Sequence, residues 1–350
     1  INVQNVNLNL INNKWFLKEL KDIKKNNLNV FSCFSAGGGS SLGYKLAGYN
    51  VLGGVEIDSK MMNLYKKNIK SQFTYLMGVE DFNKISNKKL PQELFNLDIL
   101  DGSPPCSSFS ISGKREETWG IKKKFNEGQV AQYLDDLFFK FIDTVRKLQP
   151  KIVIAENVEG LLLGKAQGFV KLILERFKKE GYDCQIFLIN AIDCNVPQTR
   201  KRVFFIANNQ KFKPLILKLN HKANILGEAL KDISNKNAKL LNKDSLVYSL
   251  WNQTLPGYSF SKYHIKGNFF NSSKLSPYRY SPTITASAGA KFCHWDSPRL
   301  LSKDEMCIIQ SFPLDYDFEN VSFQYVLGMS VPPFMLKSLS ELIYKQWYNK

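Results

Sequence analysis

The sequence predicts an α/β chain: a doubly wound, mostly parallel sheet accompanied by a smaller second lobe. Short β-rich apolar runs alternate with amphipathic helical segments as far as position 207. That alternation places helices on both faces of a parallel sheet. From 208 to about 277 the chain turns rich in Lys, Asn, Ser and Tyr and loses its periodicity. With 350 residues it can bury a full core and hold two lobes.

Taken in order, residues 14–25 carry apolar positions at helical spacing. Strands are expected at 29–34, 51–57 and 97–100, with a helix over 42–47. The spacing over 134–148 predicts a long amphipathic helix, ended by Pro150. A β-rich run over 151–155 follows, then a helix over 169–180 closed by Gly181, then strands at 185–190 and 203–207. Regularity returns at 281–285 and 299–312, and 334–348 has the pattern of an amphipathic helix. The stretch between Cys106 and Leu137 is too polar for a core and has the length of a lid loop.

A net charge of +17 favours a polyanionic partner, although a lysine-rich solvated surface accounts for it equally well. Six cysteines without a C-x-x-C pair, and only three histidines, argue against a zinc site or a disulfide framework. Free thiols point to a reducing, cytoplasmic compartment. No apolar run approaches the roughly 18 residues of a membrane span. The first residues, Ile1-Asn-Val-Gln, lack the features of a signal peptide.

Four places carry chemistry. The first predicted strand runs into Phe34-Ser35-Ala36-Gly37-Gly38-Gly39, and the next ends in Glu56-Ile57. A glycine-rich turn followed by an acid suits a nucleoside cofactor whose ribose hydroxyls the acid accepts. A nicotinamide dinucleotide or an ordinary tight turn fits these residues too. The third predicted strand leads to Pro104-Pro105-Cys106, where two prolines stiffen the approach to a thiol. Glu156 follows the 151–155 strand and therefore lies at the carboxyl edge of the sheet, where ligands bind in such folds. Arg200 and Arg202 alternate on an extended chain, so their forks share a face and suit a base oxygen or a phosphate.

Together, and in this order, these residues resemble the DNA (cytosine-5)-methyltransferase family of bacterial or phage type. The resemblance runs from about Val30 to the C-terminal helix, apart from 208–277. It implies a Rossmann-like, S-adenosylmethionine-dependent fold with S-adenosylhomocysteine as the product. Residues 1–207 and 320–350 would form the catalytic and cofactor domain. Residues 208–319 would form the target-recognition lobe, braced by 278–319.

In this resemblance Phe34 to Gly39 form the cofactor loop, and Glu56 and Ile57 flank the ribose. Val79 and Leu137 border the adenine. Pro105 and Cys106 match the nucleophile motif. Glu156 contacts the cytosine ring, and Arg200 and Arg202 lie near the target base. Ser330 and Val331, in Gly328-Met-Ser-Val-Pro-Pro333, return to the cofactor pocket. Ser110, Ser112 and Lys114 lie where the lid meets DNA. Lys262, Tyr263, His264 and Lys266 are candidate base readers. Ala36, Ser103 and Met329 depart from the family's usual Gly, Gly and Asn.

The implied reaction adds the Cys106 thiolate to carbon 6 of a flipped cytosine and methylates carbon 5. Double-stranded DNA and a cognate restriction endonuclease are the expected partners, and a monomer is expected. The tRNA-methylating branch shares the motifs but carries a Cys-Phe-Thr string that is absent here. A non-enzymatic DNA-binding relative would have lost Cys106, Glu156 or the arginines, and all are present.

Overall fold

The computed structural model describes residues 14–105, 136–164, 166–219, 221–287 and 289–349. Seven strands form the main sheet: β1 (Asn29–Cys33), β2 (Asn50–Glu56), β3 (Phe73–Leu76), β4 (Ile99–Gly102), β5 (Ile152–Val158), β6 (Asp183–Asn190) and β7 (Lys201–Asn208). Their order is β3-β2-β1-β4-β5-β7-β6. Neighbours from β3 through β5 are parallel, whereas β7 runs antiparallel to both β5 and β6. The link from Asn190 to Lys201 holds one short 3-10 turn and no crossover helix, so β6 and β7 can pair only as a hairpin.

The apolar runs of the strands divide by alternation. Val30, Ile99, Ile152, Ile154, Phe204 and Ile206 face one core. Phe31, Leu100, Val153, Ala155, Val203 and Phe205 face the other. A period of two thus explains why each strand reads as nearly continuous hydrophobicity while serving two cores. Helices α1 (Gly39–Leu46) and α2 (Ser59–Ile69) cover the first face. Helices α3 (Val79–Lys84), α4 (Leu137–Leu148) and α5 (Ala166–Lys179) cover the second.

Past β7 come α6 (Leu226–Ala229), α7 (Leu246–Gln253) and a small sheet of order β10-β9-β8. Its strands are β8 (Tyr258–Ser259), β9 (Ser273–Lys274) and β10 (Phe292–Cys293). They cover a separate small core of Leu250, Trp251, Phe260 and Cys293. Helices α8 (Lys303–Ile309), α9 (Phe323–Met329) and α10 (Pro333–Ile343) then lead back, and α10 packs on α1. No helix among the described residues is long and apolar enough to cross a membrane.

Two sequence expectations need correction. Within 14–25 only a 3-10 turn, Leu17–Lys21, forms. Tertiary contacts hold the segment instead: Trp15 is fully buried and donates to Ser311 O, and Leu17 N–H donates to Asp315 Oδ1. Residues 281–285 form no ladder strand. Pro282 has no N–H to give, and side chains bind this backbone: Gln198 Oε1 accepts from Ile284 N–H, and Arg200 donates to Ile284 O.

One buried acid went unnoticed in the sequence. Asp101, in β4, accepts from Ser32 Oγ and Tyr44 OH at 3.1 Å each. Burial pushes its carboxyl up from 3.8 to about 7, against those two hydrogen bonds. The folded state therefore holds this proton more tightly than the unfolded chain does. The group's contribution to stability is fully present below about pH 4 and is lost as pH rises through 7. Melting temperatures of wild type and Asp101→Asn, compared from pH 4.5 to 8, should show the wild-type advantage shrinking as pH rises. A difference that stays constant with pH contradicts the assignment.

Candidate active site

The strand order reverses between β1 and β4, and in such sheets ligands bind outside the carboxyl ends at that reversal. Among the described residues, the turn after β1, Glu56 at the end of β2 and Glu156 near the end of β5 lie toward that carboxyl edge. Beyond Cys33 the backbone turns sharply: Phe34 (φ 55), Ala36 (φ 42) and Gly38 (φ 87) all take left-handed conformations. Two of these are not glycine, an uncommon arrangement that tends to mark functional turns. The Ala36 N–H is fixed by a 2.8 Å bond to Glu56 Oε2. Gly39 is required for packing, because a Cβ there would stand 2.3 Å from Val331 O. The absence of a Cβ at Gly39 thus lets the start of α1 close against Ser330 and Val331.

Glu56 Oε1 accepts from Ile57 and Asp58 N–H at 2.9 Å each. Burial raises its pKa, while these bonds and the one from Ala36 favour the charged form. A carboxylate has about four acceptor sites. Three N–H donors therefore leave capacity for a ribose hydroxyl. Ser35 and Gly37 are buried in the same turn. Val79, which opens α3 after β3, and Leu137, which opens α4, are both buried apolar side chains suited to a base. Phe34 and Ile57 are half-buried. The donor set fits a nucleoside cofactor.

The second half of the site lies on β5 and β7. Glu156 Oε1 and Arg202 Nε form a 2.9 Å ion pair in which both side chains are largely buried. Asn157 Nδ2 donates to Pro104 O at 3.1 Å. The chain leaving β4 is thereby tied to β5 two residues before Cys106. From sequence alone Asn157, the residue after Glu156, has no assigned role of its own. Its amide is the group that holds the proline segment, Pro105 included, beside the acid.

Cys106, Ser110, Ser112 and Lys114 lie outside the described residues. Burial raises the thiol pKa of each of the other five cysteines, those of Cys184, Cys194, Cys293 and Cys307 to about 12. None of the five is poised as a thiolate.

A model of C-5 cytosine-specific DNA methylases matches residues 28–345. This chain belongs to that family. Among its relatives are two type II methyltransferases. M1.HphI of Haemophilus parahaemolyticus is 28% identical over 92% of this chain and 88% of its own length. M.DdeI of Desulfomicrobium norvegicum is 28% identical over 92% and 89%. In fold the methylase is similar to a prophage-encoded E. coli protein proposed to be a DNA modification methyltransferase. That structure has a TM-score of 0.71 and 21% identity, with 93% of this chain and all of that one covered. It is also similar to the Entamoeba histolytica methyltransferase EhMeth, with a TM-score of 0.62 and 17% identity, covering 92% and 99%.

Arg200 departs from the sequence expectation that its fork is free for a base or phosphate. In the methylase its guanidinium is buried and donates to Ile284 O (2.9 Å), Gly328 O and Ser330 O (both 3.0 Å). It ties the start of β7 to 284 and to the 328–331 segment, which makes it a positioning residue. Gln198 extends the bracing by donating to Ile309 O and Gln310 Oε1. Arg299 and Glu305 close it with two 2.8 Å bonds. Arg200→Ala leaves the carbonyls of Ile284 and Gly328 without this donor, while Ser330 O keeps Gln310 Nε2, and is expected to cost about 2–4 kcal/mol of stability. A lowered melting temperature with substrate affinity retained checks this; an unchanged melting temperature with lost turnover would assign Arg200 to the substrate.

The four predicted DNA readers sit on the small-sheet side of the chain, away from the β1–β4 edge in sequence and sheet. His264 Nδ1 is committed to the N–H groups of Lys266 and Asn268, and its ring meets Phe269 edge-on. Tyr263 packs on the small core. Lys262 and Lys266 remain exposed, and Ile265 between them is fully exposed.

Proposed function

We propose that this methylase acts through a covalent Cys106 adduct on a cytosine flipped out of duplex DNA, with S-adenosylmethionine as methyl donor. The observation that carries the reading is the Glu156–Arg202 pair joined, through Asn157, to Pro104, two residues before Cys106 in the sequence. S-adenosylmethionine, held by the 34–39 loop, Glu56, Val79 and Leu137, supplies an electrophilic methyl group.

The protein's part follows from its groups. Carbon 5 of cytosine is a weak nucleophile. Addition of the Cys106 sulfur to carbon 6 moves an electron pair through the ring, so carbon 5 becomes enamine-like. The ring must then take a proton at nitrogen 3. In our reading the Glu156 carboxyl, protonated when the base enters, gives up this proton and becomes the carboxylate that pairs with Arg202. After methylation, loss of the carbon 5 proton to water returns the electron pair and expels the thiolate, and the nitrogen 3 proton goes back to Glu156. Two easier steps replace one hard step. The polar segment after Cys106, expected from the sequence to be a lid, lies outside the described residues.

The small-sheet lobe, within 208–319, is the part we assign to target recognition. A cognate restriction endonuclease is a consistent partner, since M1.HphI and M.DdeI are type II methyltransferases. The test is sequencing of a random duplex library after incubation with the protein and S-adenosylmethionine, read for protected cytosines. Protection confined to one sequence context is expected. Cofactor binding without DNA methylation, with RNA modified instead, would overturn the reading.

A further inference from the structure

On the small-sheet side two cations share one aromatic ring. Lys262 Nζ stands 4.0 Å from the centroid of the Tyr258 ring, and Arg279 Cζ stands 5.4 Å from the same centroid. Tyr258 is half-buried in β8, so the ring is a fixed platform, while both cations are exposed. Arg279 is also tied to the chain: its Nη1 donates to Gly257 O at 3.4 Å. The approach is close enough that a Cβ on Gly257 would lie 3.1 Å from Arg279 Cδ.

Because both cations stand against the same ring, they lie no farther apart than about one Debye length, so their repulsion is only partly screened. Neither forms an ion pair with a carboxylate among the described residues. The ring face attracts each cation and limits its rotamers, but it does not neutralise them. A surface that holds two exposed, uncompensated cations against one ring is complementary to an anion. Neither side chain is on the sheet edge that carries Glu56 and Glu156.

We propose that Tyr258, Lys262 and Arg279 form a phosphate clamp for the DNA backbone. The clamp fixes the position of the recognition lobe on the duplex and does not read base edges. This inference rests on the DNA-methylating reading above. It replaces the expectation that Lys262 is a base reader, and it brings in Arg279 and Tyr258, which the sequence did not single out.

The experiment measures duplex affinity of the full chain, with S-adenosylmethionine present, as a function of salt. Wild type is compared with Lys262→Gln, Arg279→Gln, the double variant and Tyr258→Leu. Each neutralised phosphate contact contributes about 0.9 to the slope of log affinity against log salt. The single variants should each flatten the slope by about 0.9, and the double variant by about 1.8. The loss should be equal on target and non-target sequences, because phosphate contacts carry no base information. Lys262→Arg combined with Arg279→Lys should retain the wild-type slope, which separates lost charge from lost fold. Tyr258→Leu keeps both charges, so it should weaken binding several-fold with the slope retained.

An unchanged slope in the double variant, or a loss confined to the target sequence, would overturn the clamp. A wild-type protein that methylates no duplex at all would instead overturn the functional reading on which the clamp rests.

Discussion

Cys106→Ala is expected to abolish DNA methylation, by at least about 10⁴-fold, while leaving S-adenosylmethionine binding nearly intact. The size follows from the chemistry: without addition at carbon 6, the ring has no route to a nucleophilic carbon 5. The selectivity follows from the fold. The residues we assign to the cofactor sit on the turns after β1 and β2 and at the starts of α3 and α4, and Glu56 ties the first two turns together through the N–H groups of Ala36, Ile57 and Asp58. None of the five other cysteines can substitute, because burial raises their thiol pKa. Calorimetric cofactor titration beside a methyl-transfer assay separates the two properties. Turnover near the wild-type level would remove Cys106 from the mechanism.

Glu156→Gln carries the second-largest expected effect. The variant keeps the shape of the side chain and an acceptor toward Arg202, but it cannot deliver a proton to the ring or balance the guanidinium. Loss of a positioned acid of this kind costs about 10²–10⁴ in rate. Arg202 would then be left with reduced compensation among largely buried surroundings, so some stability should also go. The expected pattern is a large fall in kcat, little change in DNA affinity and a modest drop in melting temperature. Equal loss in Glu156→Gln and Arg202→Met, without further loss in the double variant, would show that the pair acts as a unit. A Glu156→Gln variant with wild-type kcat would place the proton elsewhere.

The main sheet was legible because its signals are local. Ile152 to Ala155 or Val203 to Ala207 can only be strands buried on both faces, and the glycine-rich turn and the acid after β2 each mark a strand end. Glu156 was legible for the same reason, since a strand's end fixes its edge of the sheet. What stayed hidden depends on long-range partners. Arg200 looked like a free cation because the carbonyls that engage it lie at 284, 328 and 330. Asn157 went unremarked because Pro104, which it holds, is on another strand's exit. The helix expected over 14–25 shrank to one turn because Trp15 and Leu17 bind the 311–315 segment. The small sheet has strands of two residues, too short for any periodicity to announce them.

The most direct measurement of the central claim is intact mass under denaturing conditions, after incubation with S-adenosylmethionine and a methylatable duplex carrying 5-fluorocytosine. Fluorine at carbon 5 cannot leave as a proton does, so elimination is blocked and the sulfur–carbon 6 bond persists. The account predicts a methylated DNA adduct on wild type, located by peptide mapping at Cys106, and none on Cys106→Ala. Methylation of the ordinary duplex with no adduct on the fluorinated one, or an adduct at another residue, would contradict it.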